Sequence, residues 1–119
     1  MQNQYGNLAM NDWIDIGQVT DIPRRGARCV NTPGGKIAVF RTQDDQIYAI
    51  EDKCPHRGGP LSQGIVHGAQ VTCPLHNWVF SLETGEAQGA DEGRVRTVPL
   101  SVVDGRILMA REIALAAAE

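Results

Sequence analysis

The sequence lacks apolar runs long enough to cross a bilayer, which excludes a transmembrane helix. It has no excess of positive charge either, since 11 basic and 14 acidic residues give a formal net charge of −3. Neither nucleic acid nor an anionic membrane surface is therefore an expected partner. Residues 1–17 lack the basic and apolar regions of a secretory signal, so we expect a cytoplasmic protein. Cysteine is scarce, and in that compartment three cysteines are better explained as ligands, nucleophiles or buried thiols than as disulfides.

Short apolar runs alternate with turn signals along most of the 119 residues, a length that suggests one domain. Runs of this length and spacing predict an all-β fold, an antiparallel sandwich or barrel. The predicted strands cover residues 13–16, 27–30, 36–41, 46–50, 65–67, 70–73, 78–82, 95–99, 101–103 and 106–110.

The clearest turn signal is Asp104-Gly105 between two apolar runs, which predicts a hairpin because glycine tolerates positive φ. The two ends of the chain carry less pattern. Residues 1–11 are expected to be a flexible tail, and the Ala-rich residues 111–119 a short helix or tail.

Two short motifs carry the chemistry of the chain, Cys54-Pro55-His56 and Cys73-Pro74-Leu75-His76. Each pairs one thiol with one imidazole, so together they supply a full set for a four-ligand metal centre. A proline follows each cysteine. Because proline restricts φ and removes a backbone donor, both motifs are expected in rigid loops rather than in helices or central strands.

The motif residues by themselves are compatible with several kinds of site. Structural zinc accepts these ligands, but zinc modules usually pair Cys with Cys and His with His. A binuclear iron centre fits the mixed motifs better, with both cysteines on one iron and both histidines on the other. Neutral imidazoles in place of two thiolates remove two negative charges, which raises the reduction potential of a one-electron relay. A cysteine nucleophile with a histidine base, or four unrelated residues, are the remaining interpretations.

At these motifs the chain resembles the Rieske 2Fe-2S family, whose pattern is C-x-H followed by C-x-x-H. The resemblance extends to Gly58-Gly59-Pro60-Leu61-Ser62 and Trp78-Val79-Phe80. It implies a Rieske-type antiparallel β domain over residues 12–110, with a small cluster-binding lobe at about residues 52–80 formed by two loops. It also implies a Rieske-type 2Fe-2S cluster whose ligands are Cys54, His56, Cys73 and His76, with no catalytic residue in this chain.

The chain differs from the respiratory members of the family at several positions, and these differences indicate which kind of Rieske protein it resembles. Gly59 and Leu75 stand where those proteins have an extra disulfide. Trp78 and Phe80 stand where they place hydroxyl groups near the cluster, so a lower potential is expected. His76-Asn77-Trp78 is most similar to the small subunits of assimilatory NAD(P)H-dependent nitrite reductases.

The resemblance implies a partner, a large subunit with flavin and siroheme that reduces nitrite to ammonium, and no enzyme activity in this chain alone. Two alternatives stay open. One is a free Rieske ferredoxin that delivers electrons to a ring-hydroxylating dioxygenase. The other is a non-redox interaction module stabilised by metal.

Several residues near the motifs have expected roles. A turn at Gly58-Gly59-Pro60 is expected to bring backbone close to sulfur, and Leu75 to cover the centre from water. Asn77 tolerates the positive φ of a position where related ferredoxins have glycine. Cys29 and His67 have no partner motif and are expected to be a non-ligand thiol and an ordinary strand residue.

Overall fold

The computed structural model describes residues 13–32, 35–54, 59–75, 77–89 and 93–110. Both chain ends, for which a tail and a short helix are expected, lie outside the described residues, as do His56, Arg57, Gly58 and His76. Nine strands run through the described part: β1 (Trp13–Gln18), β2 (Gly26–Thr32), β3 (Gly35–Arg41), β4 (Ile47–Glu51), β5 (Ile65–His67), β6 (Gln70–Thr72), β7 (Val79–Ser81), β8 (Leu100–Val103) and β9 (Arg106–Ala110). The predicted all-β class is confirmed.

The strands form three antiparallel sheets of three strands each, β1-β9-β8, β2-β3-β4 and β5-β6-β7. Two short 3-10 turns, Val19–Asp21 and Leu61–Gln63, complete the regular structure of the described residues. No helix in that part of the chain has the length and apolarity that a bilayer crossing requires.

The sheet β2-β3-β4 lies between two apolar cores. Alternate residues of β3 point to opposite faces of this sheet, as the pleat requires. Ala38 and Phe40 belong to one core, whereas Ile37 and Val39 belong to the other. The first core includes β6, β7 and the residues at the two motifs, and the second includes β8 and β9. Both faces of β3 are buried, which explains why its sequence is a nearly continuous apolar run.

The predicted hairpin at Asp104-Gly105 is confirmed. It joins β8 to β9 in antiparallel register, with Val103 opposite Arg106. Asp104 has φ 51° and Gly105 has φ 77°, the left-handed pair that a two-residue hairpin loop uses.

The strand predicted at residues 95–99 is wrong. Hydrogen bonds from this segment go to two different neighbours, since Val95 N–H donates to Gly85 O and Val98 N–H donates to Ala49 O. Its pairing with β4 is limited to an isolated bridge, Ile50 to Thr97, and the hydrogen bonds around it, including one from Glu51 N–H to Arg96 O. Val95 and Val98 are buried in different cores, so the segment is apolar and buried without forming a continuous ladder.

Candidate metal centre

The first motif begins three residues after β4 ends. Cys54 is 2% exposed and lies in the first apolar core. Its backbone N–H donates to Gly59 O over 2.9 Å, so the chain turns back on itself across the motif. His56, between these two residues in sequence, is outside the described residues.

The second motif begins directly after β6. Cys73 is 1% exposed and belongs to the same core as Cys54. Its backbone N–H donates to Trp78 O over 2.7 Å, and its carbonyl accepts from Asn77 N–H over 3.1 Å. Asn77 has φ 62°, the left-handed conformation expected of it. This tight loop leads into β7, and His76 within it lies outside the described residues.

Gly59 brings the two loops together. A Cβ atom on this residue would lie 3.0 Å from Cys73 Sγ and 3.0 Å from the Leu75 side chain. Glycine is therefore needed for the first loop to approach the second so closely. Gly59 accepts a hydrogen bond from Cys54 and lies against Cys73, so the two cysteines lie on loops that contact each other.

The donor set of these loops fits an iron–sulfur centre as far as the described residues extend. Two buried cysteines on facing loops are the soft ligands that iron–sulfur clusters use. None of the three cysteines, all of which are described, forms a disulfide. Residues 13–32, 35–54, 59–75, 77–89 and 93–110 contain no group of three or more His, Cys, Asp or Glu side chains arranged to hold a metal ion. Of the four expected ligands, the described part of the chain includes the two cysteines and neither histidine.

Leu75 stands at the outer surface of the second loop. It remains 53% exposed although its side chain faces Gly59, so it covers the loop contact on one side and meets solvent on the other. Trp78 packs against the first core, and its ring centroid lies 6.3 Å from that of Phe80.

Cys29 and His67 lie in strands, as expected. Although Cys29 is exposed, partial desolvation of its thiol and then a hydrogen bond to the nearby Asp52 carboxylate raise its pKa, which disfavours the nucleophilic thiolate. His67 Nε2 shares a hydrogen bond of 2.7 Å with Thr72 Oγ1.

Sequence reasoning missed Asp52 and Ser62, which flank the first loop. Ser62 donates two hydrogen bonds to the Asp52 carboxylate, one from its backbone N–H (2.7 Å) and one from its hydroxyl (2.6 Å). The only signal in the sequence is an acidic residue two positions before Cys54 and a serine shortly after the glycines. Such a pair is not recognisable before the loop is known to close.

A family model described as the Rieske [2Fe-2S] domain matches residues 12–99. The ferredoxin component of the naphthalene 1,2-dioxygenase/salicylate 5-hydroxylase systems of Ralstonia sp. is 29% identical over 102 residues, which are 85% of this chain and 97% of that protein. Two other curated relatives are much longer, and the chain spans only 16% and 18% of their length.

Solved structures of two kinds resemble the fold. A Mycobacterium tuberculosis protein described as a "putative NADH-dependent nitrite reductase small subunit" has a TM-score of 0.75 and 26% identity, covering 83% of this chain and 94% of that one. The ferredoxin of carbazole 1,9a-dioxygenase from Nocardioides aromaticivorans IC177 also has a TM-score of 0.75, with 25% identity, covering 82% of this chain and 96% of that one.

Proposed function

This chain belongs to the Rieske [2Fe-2S] family, and from that premise we propose that it is the small, electron-transferring subunit of an NAD(P)H-dependent nitrite reductase. Members of the family carry a Rieske-type 2Fe-2S cluster, which accepts and releases one electron at a time. The observation that carries the electron-transfer part of the proposal is the contact between two buried-cysteine loops across Gly59.

The proposed ligands are Cys54 and Cys73 for one iron and His56 and His76 for the other. The two cysteines support this assignment because they are buried, lie on facing loops and belong to one apolar core. That core excludes water from the sulfur side and lowers the local dielectric, which is one of the properties that tunes the potential of such a centre. The histidines follow from the motif spacing and from the family resemblance.

The residues around the proposed ligands shape and position the two loops and are not proposed to act as acids, bases or nucleophiles. Gly59 allows the loops to approach, the Asn77 turn returns the second loop to β7, and Leu75 leaves an apolar surface at the loop tips. An apolar side chain at the loop tip is suited to close approach by a redox partner, because little polar surface must be desolvated there.

The nitrite reductase assignment is supported by His76-Asn77-Trp78 and by likeness to small-subunit structures over nearly their whole length. The proposed partner is a large subunit that holds flavin and siroheme, receives electrons from NAD(P)H and reduces nitrite to ammonium. In this arrangement the cluster relays electrons or supports assembly of the complex.

A second candidate is a free ferredoxin that serves a ring-hydroxylating dioxygenase. The specific observation in its favour is the Ralstonia ferredoxin component, of which the chain covers 97%. The two candidates share the same centre and differ in the protein that docks against it.

The ligand assignment is tested with the full chain purified from an iron-replete host. We expect a red-brown protein whose reduced form gives the low average g-value of histidine-ligated iron in EPR. Replacing Cys54, Cys73, His56 or His76 by serine abolishes the visible spectrum and the bound iron. Cys29→Ser is the matched control and leaves both unchanged, because Cys29 lies on β2 and serine keeps a side-chain donor for the neighbouring Asp52 carboxylate. A colourless wild-type protein that binds one zinc ion overturns the assignment.

The partner is tested separately. A tagged chain, expressed in the cells it comes from, is expected to co-purify with a siroheme-containing protein and to restore NAD(P)H-dependent nitrite reduction to that protein. If the chain instead remains alone and passes electrons to a ring-hydroxylating oxygenase in a reconstituted assay, the ferredoxin function is correct and the nitrite reductase assignment is wrong.

A further inference from the structure

The first ligand loop is closed at its base by a carboxylate. Asp52 precedes Cys54 by two residues, and Ser62 lies in the 3-10 turn Leu61–Gln63 beyond the loop. The Ser62 backbone N–H donates to Asp52 Oδ1 and the Ser62 hydroxyl donates to Asp52 Oδ2, so one residue occupies both carboxylate oxygens. We call this pair the Asp52–Ser62 clamp.

Each side of the clamp is anchored to a different sheet. The Asp52 backbone N–H donates to Lys36 O on β3 over 3.0 Å. On the other side, Gly64 follows the 3-10 turn and lies so close to β6 that a Cβ atom there would be 2.3 Å from Thr72 O. Thr72 is the residue before Cys73. The clamp therefore joins β3, the base of the first loop and the strand that leads into the second loop.

The chemistry of the clamp makes it strong for its size. Hydrogen bonds to an ionised carboxylate are about twice as strong as those between neutral groups. Two of them act here between residues ten positions apart in sequence, with Cys54 inside the closed segment. Closing that segment before a ligand binds reduces the ordering cost that ligand binding would otherwise include.

We propose that Asp52 is a positioning residue of the metal centre, which holds the Cys54 loop closed against the Cys73 loop through Ser62. The proposal rests on the assignment of Cys54 and Cys73 as ligands made above. Asp52 does not itself contact the metal in this proposal. Asp52 affects how long the cluster remains bound and how well the Cys54 loop is ordered in the apo protein.

The test compares four variants of the full chain. Asp52→Ala removes both hydrogen bonds, Ser62→Ala removes only the hydroxyl bond, and Ser62→Thr keeps a hydroxyl. Asp15→Ala is the matched control, because Asp15 also uses both carboxylate oxygens, to bind Arg106 in the β1-β9-β8 sheet. The measurements are the loss of visible absorbance in the presence of an iron chelator, and amide hydrogen exchange at Cys54 and Ser62 in the apo protein.

We expect Asp52→Ala to lose the cluster about tenfold faster than wild type, an order of magnitude set by hydrogen bonds to a charged group. Ser62→Ala is intermediate, Ser62→Thr restores the wild-type rate, and Asp15→Ala matches wild type. In the apo protein, Asp52→Ala speeds exchange at the Cys54 amide. If Asp52→Ala does not fold, the comparison of Ser62→Ala with Ser62→Thr decides the question.

Equal rates of cluster loss in Asp52→Ala, Asp15→Ala and wild type overturn the proposal. It is also overturned if Ser62→Thr loses the cluster as fast as Ser62→Ala. A wild-type protein without any cluster instead overturns the ligand assignment, and the exchange measurement on the apo protein then still reports whether Asp52 closes the loop.

Discussion

Gly59 shows how one residue without a side chain permits a site made of two loops. The structure gives it no positive φ, so the backbone there would accept alanine. The constraint is steric and comes from the opposite loop, where Cys73 Sγ and the Leu75 side chain stand 3.0 Å from the place that a methyl group on this residue would occupy. A glycine of this kind is required by close approach rather than by a turn.

Gly59→Ala is therefore expected to reduce cluster content while the apo protein keeps nearly the same unfolding midpoint. The exposed Leu75 side chain can move aside, but Cys73 is buried and its sulfur must shift by a few tenths of an ångström. Iron per chain and visible absorbance measure the first effect, and a urea titration of the apo form measures the second.

The double variant Gly59→Ala/Leu75→Ala identifies which contact matters. It relieves the clash with Leu75 and leaves the clash with Cys73, so cluster content should remain low. Full recovery in the double variant would show that Leu75, and not the cysteine, limits the approach of the loops.

At the scale of elements, β1 illustrates how an irregular strand is stabilised. A bulge interrupts its register with β9 between Asp15 and Gly17. The Asp15 carboxylate accepts from Gly17 N–H and from both Arg106 donor groups, and Arg28 donates to Ile16 O. Side chains thus satisfy backbone groups that the ladder leaves unpaired at the bulge.

The Asp15–Arg106 pair predicts a pH-dependent contribution to stability. The hydrogen bond from Arg106 lowers the pKa of Asp15 in the folded state. A lowered pKa means that the stabilisation is present above the unfolded-state pKa, about 3.9, and is lost as pH falls through the folded-state value. Asp15→Asn should therefore be slightly less stable than wild type at pH 7, with the difference disappearing in acid. Urea midpoints of the apo proteins at pH 7 and at a pH below the folded-state pKa of Asp15 measure this difference in stability.

A double-mutant cycle with Arg106→Gln provides the control. Because the two side chains contact each other, their effects at pH 7 should be non-additive. Additive effects, or a difference between Asp15→Asn and wild type that persists at low pH, would contradict the pair as the source.

For the whole molecule, the sheet β2-β3-β4 separates the proposed metal centre from the other half of the fold. The core that contains Cys54 and Cys73 lies on one face, and the core that contains Ile107 and Met109 lies on the other. Changes in the two cores should therefore affect stability alike but the centre differently.

Val71→Ala and Val39→Ala test this separation, because each removes the same atoms from a fully buried position in one of the two cores. Each should lower the free energy of unfolding of the apo protein by about 2 kcal/mol, the transfer and cavity cost of two methyl groups. Only Val71→Ala should speed cluster loss, since Val71 lies two residues before Cys73 on β6. Equally fast loss in Val39→Ala would show that the two cores act as one unit.

The sequence by itself determined the all-β class and the Asp104-Gly105 hairpin, and it is the source of the proposed ligand motifs, because short apolar runs, turn residues and ligand spacing are local properties of the chain. It predicted a strand at residues 95–99 where the structure has none, since a short apolar run can be buried by contacts with two different neighbours without forming a ladder. Only the tertiary structure decided that Gly59 touches the Cys73 loop and that Asp52 binds Ser62. Those contacts join residues distant in sequence, and no local pattern encodes a distance between two loops.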